Sequence, residues 1–332
     1  MYKYLSIVVF LLLCSCKSDS VTESSIKAVQ QSAEQSSSQL AESSTSSQVN
    51  SDKSSRGELL GQPKIDVVAA PSGSKLPRKE NWKYVDSFQV KGANLSGVAA
   101  ANTQIVLVSD TTSKVIFKVD LGTRLSEPVV DGKKAPYLNL RNSRLLMPDV
   151  ELNGVYVYRG DPEIYQMQIP HELNEPTGID AFRIDDYNIV DRGNNRLLVT
   201  TKEASTFVGS RGVGEHQFNS PSCVYVIGNA KYVSDTGNGR IQVLNQDKTF
   251  RQSFGSGLLS SPGGLTSDNN LLFVCDEDLE QIFVFDQTGK LYYSLDENLS
   301  DPRDIFFWGG RLFVTDVGGW IKVFENKVYL PS

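Results

Sequence analysis

KYVSDTGNGRIQVLNQDKTFRQSFG, from Lys231 to Gly255, reads as a strand, a tight turn and a returning strand. Apolar Tyr232 and Val233 lead to Asp235, Thr-Gly-Asn makes the turn, and Ile241 and Val243 alternate on the way back, just past Arg240. A period of two on either side of a Gly/Asn turn marks a hairpin with a buried face.

The same pattern recurs at Asp110, Asp149, Asp191, Asp235, Asp276 and Asp316, each with an apolar run before it and an alternating run after it. A spacing near forty residues with several short strands per repeat predicts propeller blades, and six copies predict six of them. Helical solenoids share that period. They are excluded because the apolar residues alternate, as in Ile282/Val284 and Ile321/Val323, instead of recurring every three to four. A second landmark keeps a nearly fixed offset upstream of each Asp: Ser96, Pro136, Pro176, Pro221, Pro262 and Pro302.

Two landmarks in register resemble the NHL repeat family, in which a Pro-Gly-Val-like opening precedes an apolar strand ending in Asp, a Gly-Asn-x-Arg turn and Ile-x-Val-Phe. DTGNGRIQVL, after QFNSPSCVYV, is the best match, and DRGNNRLLV at Asp191 is close. The resemblance covers about 96–332 and weakens outside the third and fourth repeats; no Arg follows Asp149, Asp276 or Asp316. It implies an all-β, six-bladed NHL-like propeller, here assigned to 77–332.

The 332 residues open with MYKYLSIVVFLLLCSC, a short basic start and a nine-residue apolar run, too short to span a bilayer as a helix. Residues 1–15 read as a lipoprotein signal peptide ending in a bacterial lipobox, with Cys16 as the lipidated residue. Acyl chains on Cys16 would anchor the protein to a membrane of the bacterial envelope, with the outer membrane preferred and the periplasmic or surface side left open. The linker, 16–76, is dominated by Ser and Gln: 15 of the 39 residues from Lys17 to Ser55 are Ser. Such a composition cannot bury enough to order itself, so it predicts a tether with a span on the order of 40 Å.

Residues 1–76 are charge-balanced, which leaves the net charge of −6 on the propeller. A phosphate-backbone binder would carry the opposite sign, so no nucleic-acid partner is expected. The last repeat runs short at Val328–Leu330. The segment 84–91, whose SFQ echoes the QSF at 252–254, is expected to supply its missing outer strand, the alternative being that Val328–Leu330 completes the blade.

Within a blade the innermost strand a follows the Pro landmark, b returns to the Asp, and c leaves. The loop before a and the b–c turn therefore share one face, called here the Asp face. The repeated Asp is expected to accept N–H groups of its own turn, with Arg196, Arg240 and, one residue earlier, Lys114 as ion-pair partners. The candidate binding residues on this face are Asp131, His171, Arg192, Arg211, His216, Glu297 and Arg303. His171 and His216 both lie five residues before a Pro landmark, in adjacent loops, and with the carboxylates they admit a divalent metal, although no metal or cofactor is assigned. The arginines would suit an anionic group on a partner.

Asp180 and Asp304 are the inner-strand carboxylates expected at the channel. The resemblance also brings in enzymes, whose amidating lyases use three His around zinc and whose lactonase-like members hold calcium with Glu, Asn and Asp. This chain has two His, and its two inner carboxylates lack Glu or Asn company. The preferred reading is a binding propeller for a protein or glycan partner. A metal-dependent propeller enzyme and a structural subunit of an envelope complex remain as alternatives. Cys223 and Cys275 are expected as buried free thiols, and Trp308 or Trp320 as a candidate exposed anchor.

Overall fold

Strand-forming residues dominate because each inner and middle strand is covered on both faces by a neighbouring blade, which selects Val, Ile, Leu and Phe over polar residues. A computed structural model describes residues 79–160, 163–183 and 186–329. The expected signal peptide, Cys16 and the tether lie outside the described residues.

The described strands form six four-stranded antiparallel sheets around one axis. Blade 1 runs from axis to rim through Leu95–Ala100, Ile105–Asp110, Val115–Asp120 and Leu125–Asp131. Blades 2 to 5 repeat the order within 139–166, 176–208, 224–254 and 262–295. Blade 6 takes Ile305–Trp308, Arg311–Asp316 and Trp320–Asn326 from the C-terminal end, and its outermost strand is Trp82–Gln89. That strand pairs antiparallel with Trp320–Asn326, from Trp82 opposite Asn326 to Gln89 opposite Trp320. The closing strand is thus the N-terminal one, two residues earlier than the sequence suggests, while Lys327–Tyr329 turns away from the sheet.

Six apolar clusters lie between neighbouring blades, one at each of the six junctions around the ring. Phe313, Ile321 and Val323 of blade 6 pack on Val98, Val106 and Val108 of blade 1, so the ring closes with the same kind of contact it uses elsewhere. Each fully buried side chain of this size contributes about 1.5–3 kcal/mol. Phe283, Phe285, Phe313 and Phe324 are core between blades as expected, and Phe306 and Phe307 are half-buried. Closure also covers the apolar sheet faces that the first and last blades would otherwise expose.

The b–c turns of blades 1 to 5 share one geometry, and that of blade 6 is a residue shorter. In blade 4, Thr236–Asn238 makes a single 3₁₀ turn and Gly239 follows in the left-handed region at φ 58°. The fourth residue after the Asp has positive φ in blades 1, 2, 3 and 5 as well: Lys114, Asn153, Asn195 and Glu280. At Gly239 a Cβ would also lie 2.7 Å from the Leu259 carbonyl oxygen, so here glycine answers both the turn and the approach of the next loop.

Candidate functional site

The six repeated aspartates are buried, and all six do the same thing. Each accepts the backbone N–H of the residue two before its blade's landmark: Asn94 to Asp110, Lys134 to Asp149, Asn174 to Asp191, Asn219 to Asp235, Ser260 to Asp276 and Ser300 to Asp316, at 2.7–3.2 Å. Most then cap their own turn, as Asp149 does for Glu151 and Leu152 at 2.9 Å. Each carboxylate therefore ties the incoming loop to the b–c turn, which fixes the Asp face.

In blades 3 and 4 the expected arginines complete the site: Arg196 Nε donates to Asp191 at 2.7 Å and Arg240 Nε to Asp235 at 2.8 Å. Lys114 departs from expectation. Its Nζ pairs with Glu151 at 2.8 Å, and Asp110 takes the Ser113 hydroxyl instead. Burial pushes the Asp110 carboxyl up, but the Ser113 hydroxyl and the amides of Thr112, Ser113 and Asn94 together hold it below its ordinary value.

The axis is filled by side chains. Tyr137, from blade 2, reaches across to blade 5, where its hydroxyl lies over Gly263 and a Cβ would be 3.2 Å away. Asp304 is buried among three backbone N–H donors: Val98 of blade 1 at 2.9 Å, Ile305 at 2.9 Å and Leu138 of blade 2 at 3.4 Å. No cation pairs with it among the described residues, and burial pushes its carboxyl up to about 7 against those amides. Gly264 lets this packing form, since a Cβ there would lie 2.6 Å from Asp304 Cα.

Asp180, also buried, is held by Arg141 through Nε at 2.8 Å and Nη2 at 3.0 Å, by Asn139 at 3.0 Å and by the Val226 amide at 2.7 Å. Arg141 in turn lies over the Tyr225 ring. Both inner carboxylates are buried, and the fold uses them to join blades 2, 3 and 4 in one case and 6, 1 and 2 in the other; contrary to expectation Asp180 has Asn company, in Asn139.

The two histidines pack on the outer strands of their blades at different heights, Phe207 lying opposite Leu198 and under Arg196, Phe250 opposite Leu244. His171 lies against the Phe207 ring at 4.8 Å between centroids, and His216 against Phe250 at 6.0 Å, each Phe being on the outer strand of its blade. His216 Nε2 meets the carbonyl of Lys248, in the c–d turn at the opposite face, at 2.9 Å. That contact draws His216 away from the face expected from its loop. Among the described residues, no three His, Cys, Asp or Glu side chains converge as a metal site.

Arg303 is likewise committed: it bridges blade 6 to blade 1 through Asn94 Oδ1 at 2.7 Å and is held by Asp301 at 3.0 Å. Asp131 and Glu297 are exposed on the rim, and Arg211 is exposed in a small parallel pairing of Ser210–Arg211 with Gln217–Phe218. Arg192 is exposed beside the axial mouth, close enough to Tyr137 for its charge to act on the phenol. Cys223 and Cys275 are free and buried, and burial pushes both thiols up.

Three things escaped the sequence. Lys134 and Thr177 join Arg192 around a cleft between blades 2 and 3. Leu152, Val213, Leu279 and Val317 are exposed apolar side chains in Asp-face loops. Glu277 faces Asp301 there, and burial, then that neighbouring carboxylate, pushes its carboxyl up. Part of the signal was available in the offsets: Thr177 directly follows a landmark, and Arg192, Glu277 and Val317 each directly follow a repeated Asp.

No family model matches the chain. Protein brain tumor of Drosophila melanogaster is 27% identical over 128 residues, 37% of this chain and 12% of that protein, so the chain spans about an eighth of its length. Among solved structures, virginiamycin B lyase from Staphylococcus aureus, crystallised as a catalytically inactive variant with quinupristin, superposes with a TM-score of 0.57 at 13% identity, covering 74% of this chain and 99% of that one. A protein of unknown function from Bacteroides thetaiotaomicron gives a TM-score of 0.60 at 14% identity over 74% and 75% of the two chains. A luciferin-regenerating enzyme gives 0.55 at 14% over 72% and 94%. At these identities the likeness is one of fold, which is the six-bladed propeller.

Proposed function

We propose that the protein is a lipid-anchored, NHL-like propeller of a bacterial cell envelope, and that its Asp face holds a protein or glycan partner. The observation that carries this reading is the distribution of unspent side chains. At the axis, Asp180, Asp304 and Arg141 are consumed in joining blades. On the Asp face, exposed Leu152, Leu279 and Val317 stand with Arg192, Arg211 and Lys134, cations that make no ion pair among the described residues, although the Lys134 charge acts on Glu151. Apolar anchors interspersed with unpaired cations are what a contact surface for a macromolecule supplies. The lipobox ending at Cys16 and the Ser-rich segment after it support an outer-membrane anchor and a tether, and the net charge of −6 supports a partner other than nucleic acid.

The enzyme alternative draws on the lyase and luciferin-regenerating neighbours, which share only the fold; an axial metal-dependent reaction would need channel carboxylates that are free to bind. Two measurements test the proposal. Cell fractionation of wild type and Cys16→Ser should move the protein from the membrane fraction to the soluble one. Paired Leu279→Asp and Val317→Asp changes should abolish partner capture while leaving the melting temperature within about 2 °C, as expected for exposed positions. A partner retained by these variants would contradict the assignment of the face.

A further inference from the structure

The Asp-face cleft between blades 2 and 3 has a volume of about 350 Å³, with Lys134 and Glu151 on its blade 2 side and Glu175, Thr177 and Arg192 on its blade 3 side. Thr177 opens the inner strand of blade 3. It is fully buried, and its hydroxyl has no hydrogen-bond partner among the described residues. A buried hydroxyl left unpaired is costly, so such a group in a native fold points to a partner the chain itself does not provide. Neither the Lys134 ammonium nor the Arg192 guanidinium is held by an ion pair or a side-chain hydrogen bond among the described residues.

Three donors therefore border one cleft whose two acids are taken up elsewhere or stand at its edge: Glu151 pairs with Lys114 and only adds its field to Lys134, and Glu175 is exposed at the rim. We infer that this cleft seats a carboxylate carried by the partner, with Arg192 and Lys134 supplying charge and Thr177 an O–H donor. A guanidinium offers a planar fork that matches the two oxygens of a carboxylate, and lysine adds a point charge to the same group. The two acids limit the charge the ligand can bring. Glu151 is neutralised by Lys114 at 2.8 Å, but Glu175 stands exposed at the rim, on a loop fixed by the bond from its amide to Asn153 Oδ1 at 2.8 Å. A monoanion is attracted by Arg192 and Lys134 together, whereas a phosphate dianion would meet Glu175 across the same small opening. This assignment rests on the Asp face being the binding face and says which chemical group of the partner it reads.

The test uses the full chain and three probes: N-acetylalanine, its amide N-acetylalaninamide, and inorganic phosphate. Their binding is followed by amide chemical shifts and by melting temperature. The expected result is a saturable response to the acid around Thr177 and Arg192, little response to the amide, and a weaker one to phosphate. Thr177→Val should weaken the acid roughly tenfold while leaving the melting temperature unchanged or higher, because it removes an unpaired hydroxyl; Arg192→Ala should weaken it by as much. Equal responses to acid and amide, or no response at tens of millimolar, would overturn the inference, as would phosphate binding better than the acid. So would a Thr177→Val protein that melts lower and binds normally, since the hydroxyl would then serve the fold. If the captured partner needs Leu279 and Val317 but ignores Thr177, Arg192 and Lys134, the cleft assignment falls and the binding face stands. If it ignores all five, both fall.

Discussion

At the scale of single residues, the aspartates divide by what faces them. Asp235 gathers the Asn219 amide, the Asn238 side chain and Arg240, which is itself largely buried. Its change to Ala leaves a cation and an amide unpaired, and should cost about 3–5 kcal/mol by urea denaturation. Among the described residues Asp149 has amides alone, so Asp149→Ala should cost less, about 1–3 kcal/mol. Equal costs would show that Arg240 adds nothing.

Asp304 gives a pH signature. Its folded carboxyl, raised by burial to about 7, lies above its ordinary value of 3.8, so the folded state holds the proton more tightly. The resulting stability is fully present below about pH 4 and is lost as pH rises through 7, a change of at most about 4 kcal/mol. Between pH 5 and 8 the wild type should therefore lose melting temperature more steeply than Asp304→Asn; parallel profiles would contradict the burial argument. Both inner carboxylates were legible from their offset to the landmark. The reach of Tyr137 across the channel was not, because it depends on channel radius and on the missing side chain at Gly263, neither of which an offset encodes.

Among elements, the closing strand matters most. Trp82 is buried against Phe273 at 5.5 Å between ring centroids, and its indole N–H donates to Tyr293 of blade 5 at 3.0 Å. Trp82→Ala should destabilise by about 3–5 kcal/mol in chemical denaturation. Removal of 79–91 should expose the edge of Trp320–Asn326 and yield aggregates in size-exclusion chromatography; a monomer of normal stability would show that blade 6 closes without it. The echo of SFQ in QSF disclosed this strand, because an outer strand keeps its blade's side-chain alternation wherever it lies in the chain. The flank of each blade left no such trace. His171 and His216 share an offset, but their surroundings are set by Phe207 and Phe250, at different heights on strands more than thirty residues away.

For the whole molecule, the ring spends its axial chemistry on holding six blades together and leaves one face with unpaired cations and apolar turns. A fold of this kind is a rigid frame whose loops are free to specialise, which is why the repeat announces the architecture and is silent about the ligand. The most direct measurement is photo-crosslinking in cells that make the full, Cys16-bearing chain, with the photoreactive residue placed at Leu279 or Val317 on the Asp face, or at Trp308, exposed in the a–b turn of the opposite face. The account predicts one discrete adduct from both Asp-face positions and none from position 308. An adduct from position 308 alone would put the partner on the wrong side of the ring and contradict it.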